Sequence, residues 1–128
     1  RGCIGQLHAQ MSLYKAVLSM SASAAFDDHR FSPLTKKELD KTNIEISVLT
    51  PMQKINNINE IKMGIDGVYI KNGNRSGVFL PQVANETNWD KITFLENLCS
   101  HKAFLPKDAY QDDDTDIYIF QVEKFKEK

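Results

Sequence analysis

The stretch GVYIKNGNRSGVFL, residues 67–80, constrains this chain more than any other. Two apolar runs flank Asn72-Gly73, a dipeptide favoured where a tight turn needs positive φ. A turn that short can join only antiparallel strands. An antiparallel sheet is therefore fixed, and the rest of the chain must be laid around it.

Upstream, residues 2–7 read as a short strand, with Gly2 and Gly5 marking a bulge or a close backbone approach. Ser12 is placed to cap a helix whose stripe of Leu13, Ala16, Val17, Met20 and Ala24 is expected to face the core. Pro33 excludes helix at Ser32. Thr35 and Glu38 then form a capping-box pattern that starts a helix of about two turns. From Asn43 the period becomes two: Ile44, Ile46 and Val48 alternate with Glu45 and Ser47, a strand with one wet face that Pro51 ends.

Downstream of the hairpin, PQVANETNWD is a connection with room for a helical turn. A second long helix is expected over about Asp90 to Ala103, burying Ile92, Leu95, Leu98 and Cys99. DIYIFQVEKF reads as the last strand. Strands come in sequence-adjacent groups, and the regular βα alternation of a parallel sheet is absent. The class is α+β with a mainly antiparallel sheet.

Composition narrows the function classes. The 16 Lys+Arg nearly balance 17 Asp+Glu, and the basic stretches are interleaved with acids, which disfavours nucleic acid as a partner. No run approaches the roughly 18 apolar residues of a membrane span, and no signal-peptide succession is present. Two cysteines make no disulfide framework, so a reducing, cytoplasmic setting is expected. The absence of an initial Met before a strand-like segment leads us to expect further chain upstream.

No metal is expected. Cys3 and His8 fall on opposite faces of a straight strand, and Cys99 and His101 point about 200° apart on a helix. Asp112, Asp114, Asp116 and Glu123 mimic positions of a calcium loop, but Ile117 stands where that loop needs glycine. The acidic run reads as a solvated loop. No glycine-rich phosphate loop occurs either.

Cys3 and DDHRF remain. A reactive cysteine needs nearby cations or oriented N–H groups, and Arg1 lies two residues away. Free cysteine is equally a common buried packing residue, so both readings of Cys3 stand. Asp28 and Arg30 follow a helix end, where they can form an ordering salt bridge or bind a carboxylate in two-point fashion.

RGCIG, DDHRFSPL, ISVLTP, GVYI, SGVFLPQVA, FLENLCSHKA and QVEKF occur in the order seen in the AMMECR family, and the chain resembles that family along its whole length. The resemblance implies a barrel-like sheet with helices packed on it, built from two related β-β-β-α-α-β halves. It implies a domain over residues 1–128 that lacks its first strands and helix. It maps the family's motifs onto Arg1, Gly2, Cys3, Ile4 and Gly5, onto Asp28, Arg30 and Phe31, and onto Leu80, Pro81, Gln82 and Val83. His29 and Asp66 depart from the family pattern, which has proline and histidine there.

By the same resemblance, the chain is a component of a modification pathway with a Memo-like protein and a radical S-adenosylmethionine enzyme, as in AmmeMemoRadiSam systems. It brings no cofactor of its own. The three motifs are expected to line one cleft, with Cys3 and Asp28 as candidate catalytic groups. Arg1, Gly2, Gly5, Arg30, Phe31, Pro81 and Gln82 would bind substrate or partner. The rival expectation is a non-catalytic interaction or scaffold module with the same cleft as docking groove.

Overall fold

The computed structural model describes residues 2–8 and 11–126. Its elements run α1 (Leu13–Phe26), α2 (Lys36–Leu39), β1 (Glu45–Leu49), β2 (Gln53–Ile55), β3 (Gly67–Asn72), β4 (Arg75–Phe79), α3 (Gln82–Thr87), α4 (Lys91–Asn97), β5 (Asp116–Phe120) and β6 (Val122–Lys126). The class is α+β, as expected. The order from β2 to β5 is β-β-β-α-α-β, and α1-α2-β1 repeats its last three elements. The chain divides into two compact units, Arg1–Ile46 with Lys124–Lys128, and Ser47–Glu123.

The second unit is built on an open antiparallel sheet in the order β2-β5-β3-β4. β1 and β6 form a separate two-stranded sheet, so the sheets do not close into the expected barrel. The expected last strand is split at Gln121 into β5 and β6, which belong to different sheets. Thr50 donates its N–H to the Gln121 carbonyl and its hydroxyl accepts the Gln121 N–H, at 2.9 and 2.8 Å. These bonds hold the corner outside any ladder.

The hairpin forms where expected, but its two loop residues are Gly73 and Asn74, with Asn72 paired to Arg75. Positive φ occurs at Gly73 (59°) and not at Asn74, the pattern of a II′ turn, which needs glycine first. Val68 and Ile70 of β3 share a sheet face with Phe79, Ile117 and Ile119 on the paired strands. The core gathers there with Phe94, Leu95, Leu98 and Cys99. Gly77 lies opposite Ile70 on that face, and a Cβ on it would stand 2.7 Å from the Ala103 amide nitrogen. The glycine is what lets the helix end lie on the strand.

Asp90 caps α4 by accepting the Thr93 N–H at 2.8 Å, and this bond holds its carboxyl below the usual range. The expected long helix ends earlier, at Asn97, and continues as a π-helical turn, Leu98–Lys102. Of the residues expected on its buried side, Leu95, Leu98 and Cys99 are buried and Ile92 is exposed, while Phe94 is buried as well. The chain then leaves through Phe104 in the left-handed region (φ 56°), with Ala103 and Leu105 donating N–H bonds back to the Leu98 and Cys99 carbonyls.

In the first unit, Ser12 caps α1 and Thr35–Glu38 form the capping box. Three expectations are corrected here. Residues 2–8 contain no strand; the Cys3 N–H bonds a carboxylate instead of a ladder partner. The α1 stripe is not core: Ala16, Val17, Met20 and Ala24 are half-buried and Leu13 is exposed. Ile44 lies outside β1 and is exposed, while along β1, which runs on into the second unit, Ile46 to Leu49 are all half-buried, so the expected wet face does not run the length of the strand. No hydrophobic residue described in the first unit is fully buried; Asp28 is, at 5% exposure.

Candidate functional site

Asp28 is what organises the first unit. Its Oδ2 accepts the Cys3 backbone N–H at 2.9 Å and Arg30 Nη2 at 2.6 Å. Its Oδ1 accepts Arg30 Nε at 3.0 Å and the Arg30 backbone N–H at 3.2 Å. Arg30 Nη2 also donates to the Cys3 carbonyl at 3.3 Å, so Cys3 is held at both backbone groups. Four charge-assisted donors on one buried carboxylate satisfy it fully. The Arg30 guanidinium, and after it the Cys3 N–H, hold the Asp28 carboxyl well below the usual range, while Asp28 raises Arg30.

The local sequence explains the assembly. α1 ends at Phe26, and Leu34 donates its N–H to the Ala25 carbonyl, folding DDHRFSPL back on the helix end. Gly2 lies against the same end: a Cβ there would be 1.8 Å from the Ala24 carbonyl oxygen. Gly5 has nothing within 4 Å of its added Cβ. The two glycines of RGCIG therefore differ: Gly2 is needed by the packing, Gly5 by nothing described in this chain.

Cys3 is exposed, which removes the buried-packing reading. Phe31 is exposed and lies under Arg30, whose Cζ is 5.6 Å from the ring centre. Arg1 lies outside the described residues. The geometry thus joins Gly2, Cys3, Asp28, Arg30 and Phe31. Pro81 and Gln82 belong to the second unit, where Pro81 precedes and Gln82 opens α3.

The arrangement restricts the chemistry. A carboxylate this acidic, with its lone pairs occupied, is a poor proton acceptor, so Asp28 holds Arg30 rather than acting as a base. Arg30 is in turn already paired, which weakens it as an anion clamp and suits it to bracing Cys3. The other cysteine is inert: burial pushes the Cys99 thiol up to about 11.

Other sequence candidates resolve simply. Among the described residues, no three His, Cys, Asp or Glu side chains are grouped to hold a metal ion. Asp112 to Asp114 are exposed, while Asp116 opens β5 and pairs with Lys54 at 3.2 Å. Asp66 is buried, accepting the Lys62 N–H at 2.9 Å and Gln121 Nε2 at 2.7 Å, and so closes its own loop. No helix among the described residues is long and apolar enough to cross a membrane. Arg75 donates to the Phe104 carbonyl just past the helix, where Pro106 is the one sequence signal of a sharp stop.

Comparison with known proteins gives one consistent result. The AMMECR1 family model matches residues 1–125. A protein of Caldivirga maquilingensis is 38% identical over all of this chain and 61% of its own length. A Nanoarchaeum equitans protein is 41% identical over 99% of this chain and 73% of its own. The crystal structure of the uncharacterised protein PH0010 of Pyrococcus horikoshii superposes with a TM-score of 0.90 at 40% identity, covering 100% of this chain and 65% of that one. The chain thus spans about two-thirds of the length of these relatives.

Proposed function

The chain belongs to the AMMECR1 family, and from that premise we propose that it is a component of a modification pathway whose working surface carries the exposed Cys3 thiol. One observation supports this most: the buried carboxylate of the first unit is committed to fixing the backbone of Cys3, while the thiol itself is left exposed. A residue needed only for packing gains nothing from that arrangement. A reactive or docking residue gains a fixed position on a rigid support.

In this reading the thiol acts as nucleophile or redox group, and Asp28 and Arg30 brace it. The partners are a Memo-like protein and a radical S-adenosylmethionine enzyme, and the setting is cytoplasmic, where both thiols stay reduced. The test uses the full-length protein. It is expected to retain the Memo-like protein on co-purification, and Cys3→Ser is expected to keep that retention while abolishing the pathway's product. Cys3→Ser with full product formation would overturn the chemical role.

A second reading is favoured by α1. Leu13, Tyr14, Leu18 and Phe26 are each more than half exposed, and a helix apolar around most of its circumference normally has cover. In that reading the chain is an interaction module. Charge substitutions at Tyr14 and Leu18 would then remove partner retention, and Cys3→Ser would leave function intact.

A further inference from the structure

We propose that Phe104 is the anchor of a docking site for an acidic, apolar-tipped segment of a partner protein. The argument is independent of Cys3 and lies wholly in the second unit. Phe104 occupies the left-handed position that terminates the helix, φ 56°, where glycine is the ordinary residue and a bulky side chain is an outlier. Its ring gains no burial in exchange, being 73% exposed. A residue unfavourable in both backbone and solvation is a reason to look for function.

The position is held firmly. Arg75 donates Nη1 to the Phe104 carbonyl. Leu105 donates its N–H to the Cys99 carbonyl at 2.8 Å. Gly77 allows Lys102 and Ala103 to lie directly on β4. The ring is therefore presented from a backbone fixed on both sides, as a preorganised anchor should be.

Charge identifies the occupant. Residues 101–107 contain Lys102 and Lys107 and no acid, and Arg75 joins them through its bond to Phe104. All three cations belong to exposed residues, and Asp108 is the next acid along the chain. An aromatic knob among cations suits a short acidic stretch with a pocket or apolar side chain to receive the ring. A long phosphate backbone fits less well, because the chain as a whole carries a formal charge of −1.

The test places p-benzoylphenylalanine at position 104 of the full-length protein, irradiates it in its own cells and maps adducts by mass spectrometry. The control puts the same photoreactive residue at the exposed Ile92. The expected result is a protein adduct within an Asp/Glu-rich segment, reduced about tenfold by Lys107→Glu, which leaves the Arg75 bond in place. Adducts no stronger than at position 92, adducts to RNA, adducts to a second copy of this chain, or adducts to a segment without acids would each overturn the proposal.

Discussion

The backbone N–H of Cys3 is bonded to the carboxylate of Asp28, 25 residues away, at 2.9 Å. One buried acid thereby sets both the position of the exposed cysteine and the direction of Arg30. Asp28→Asn keeps the shape and removes the charge that gathers these donors. Hydrogen exchange of the peptide covering residues 2–8 is expected to accelerate about tenfold or more in the variant, as for a segment whose local anchor is lost. Unchanged exchange would show that the Gly2 contact alone holds the segment.

The same carboxylate predicts a pH dependence of defined sign. Arg30 and the Cys3 N–H depress the folded value of Asp28 below the unfolded value of about 3.9. The stability that this bond contributes is fully present above the unfolded value and disappears as pH falls through the folded one. Protection of residues 2–8, corrected for intrinsic rates, is expected to be flat from neutral pH down to about 4 and to fall below it. Asp28→Asn should lack that fall; an identical acid limb in the variant would assign it to other carboxyls.

Cys99 titrates in the opposite sense. Burial raises its thiol from an ordinary value of 9.0 to about 11. Above about pH 9 the unfolded thiol ionises first, so stability should decline as pH rises toward 11. Cys99→Ala would remove that decline at the cost of a small cavity. At pH 8, iodoacetamide should add one label to the native protein, on Cys3, and a second only after unfolding. Two native labels would contradict the burial of Cys99.

Phe104 offers a stability test separate from binding. Phe104→Gly places the ordinary residue in a left-handed turn and should stabilise the protein by about 1 kcal/mol, with part of the backbone relief offset by the extra freedom of glycine in the unfolded chain. A rise in the urea midpoint at unchanged slope would show it. A fall would mean that the ring has structural contacts that outweigh its backbone strain.

What the sequence made legible was local. The hairpin, the Ser12 cap and the Thr35–Glu38 box depend on residues within a few positions of one another, and each forms, although the turn sits one residue later, on Gly73-Asn74. The Asp28–Cys3 bond was not legible, because nothing in RGCIG or DDHRF specifies a partner 25 residues away. The motif comparison nonetheless singled out both ends of it. The α1 stripe failed because periodicity gives a face and not its cover. Ile92 stands at the opening turn of α4, one turn before the buried Leu95, Leu98 and Cys99, where periodicity does not tell whether the face is already covered. Residues 2–7 resembled a strand in composition, but strands need a partner, and composition carries no record of one.

The two glycines of RGCIG separate structure from function. Gly2→Ala drives a Cβ to 1.8 Å from the Ala24 carbonyl oxygen, so the segment must shift off the helix end. A loss of about 1–3 kcal/mol is expected, as for other overpacked contacts, together with fast exchange at Cys3. Gly5→Ala meets nothing within 4 Å and should leave the urea midpoint within about 0.5 kcal/mol of the parent. If Gly5→Ala nevertheless abolishes partner retention or product formation in the full-length protein, the missing side chain is needed by what docks beside Cys3. If Gly5→Ala is silent in both, the open surface beside Cys3 is not where the partner or substrate sits, and the working face must lie elsewhere on the chain.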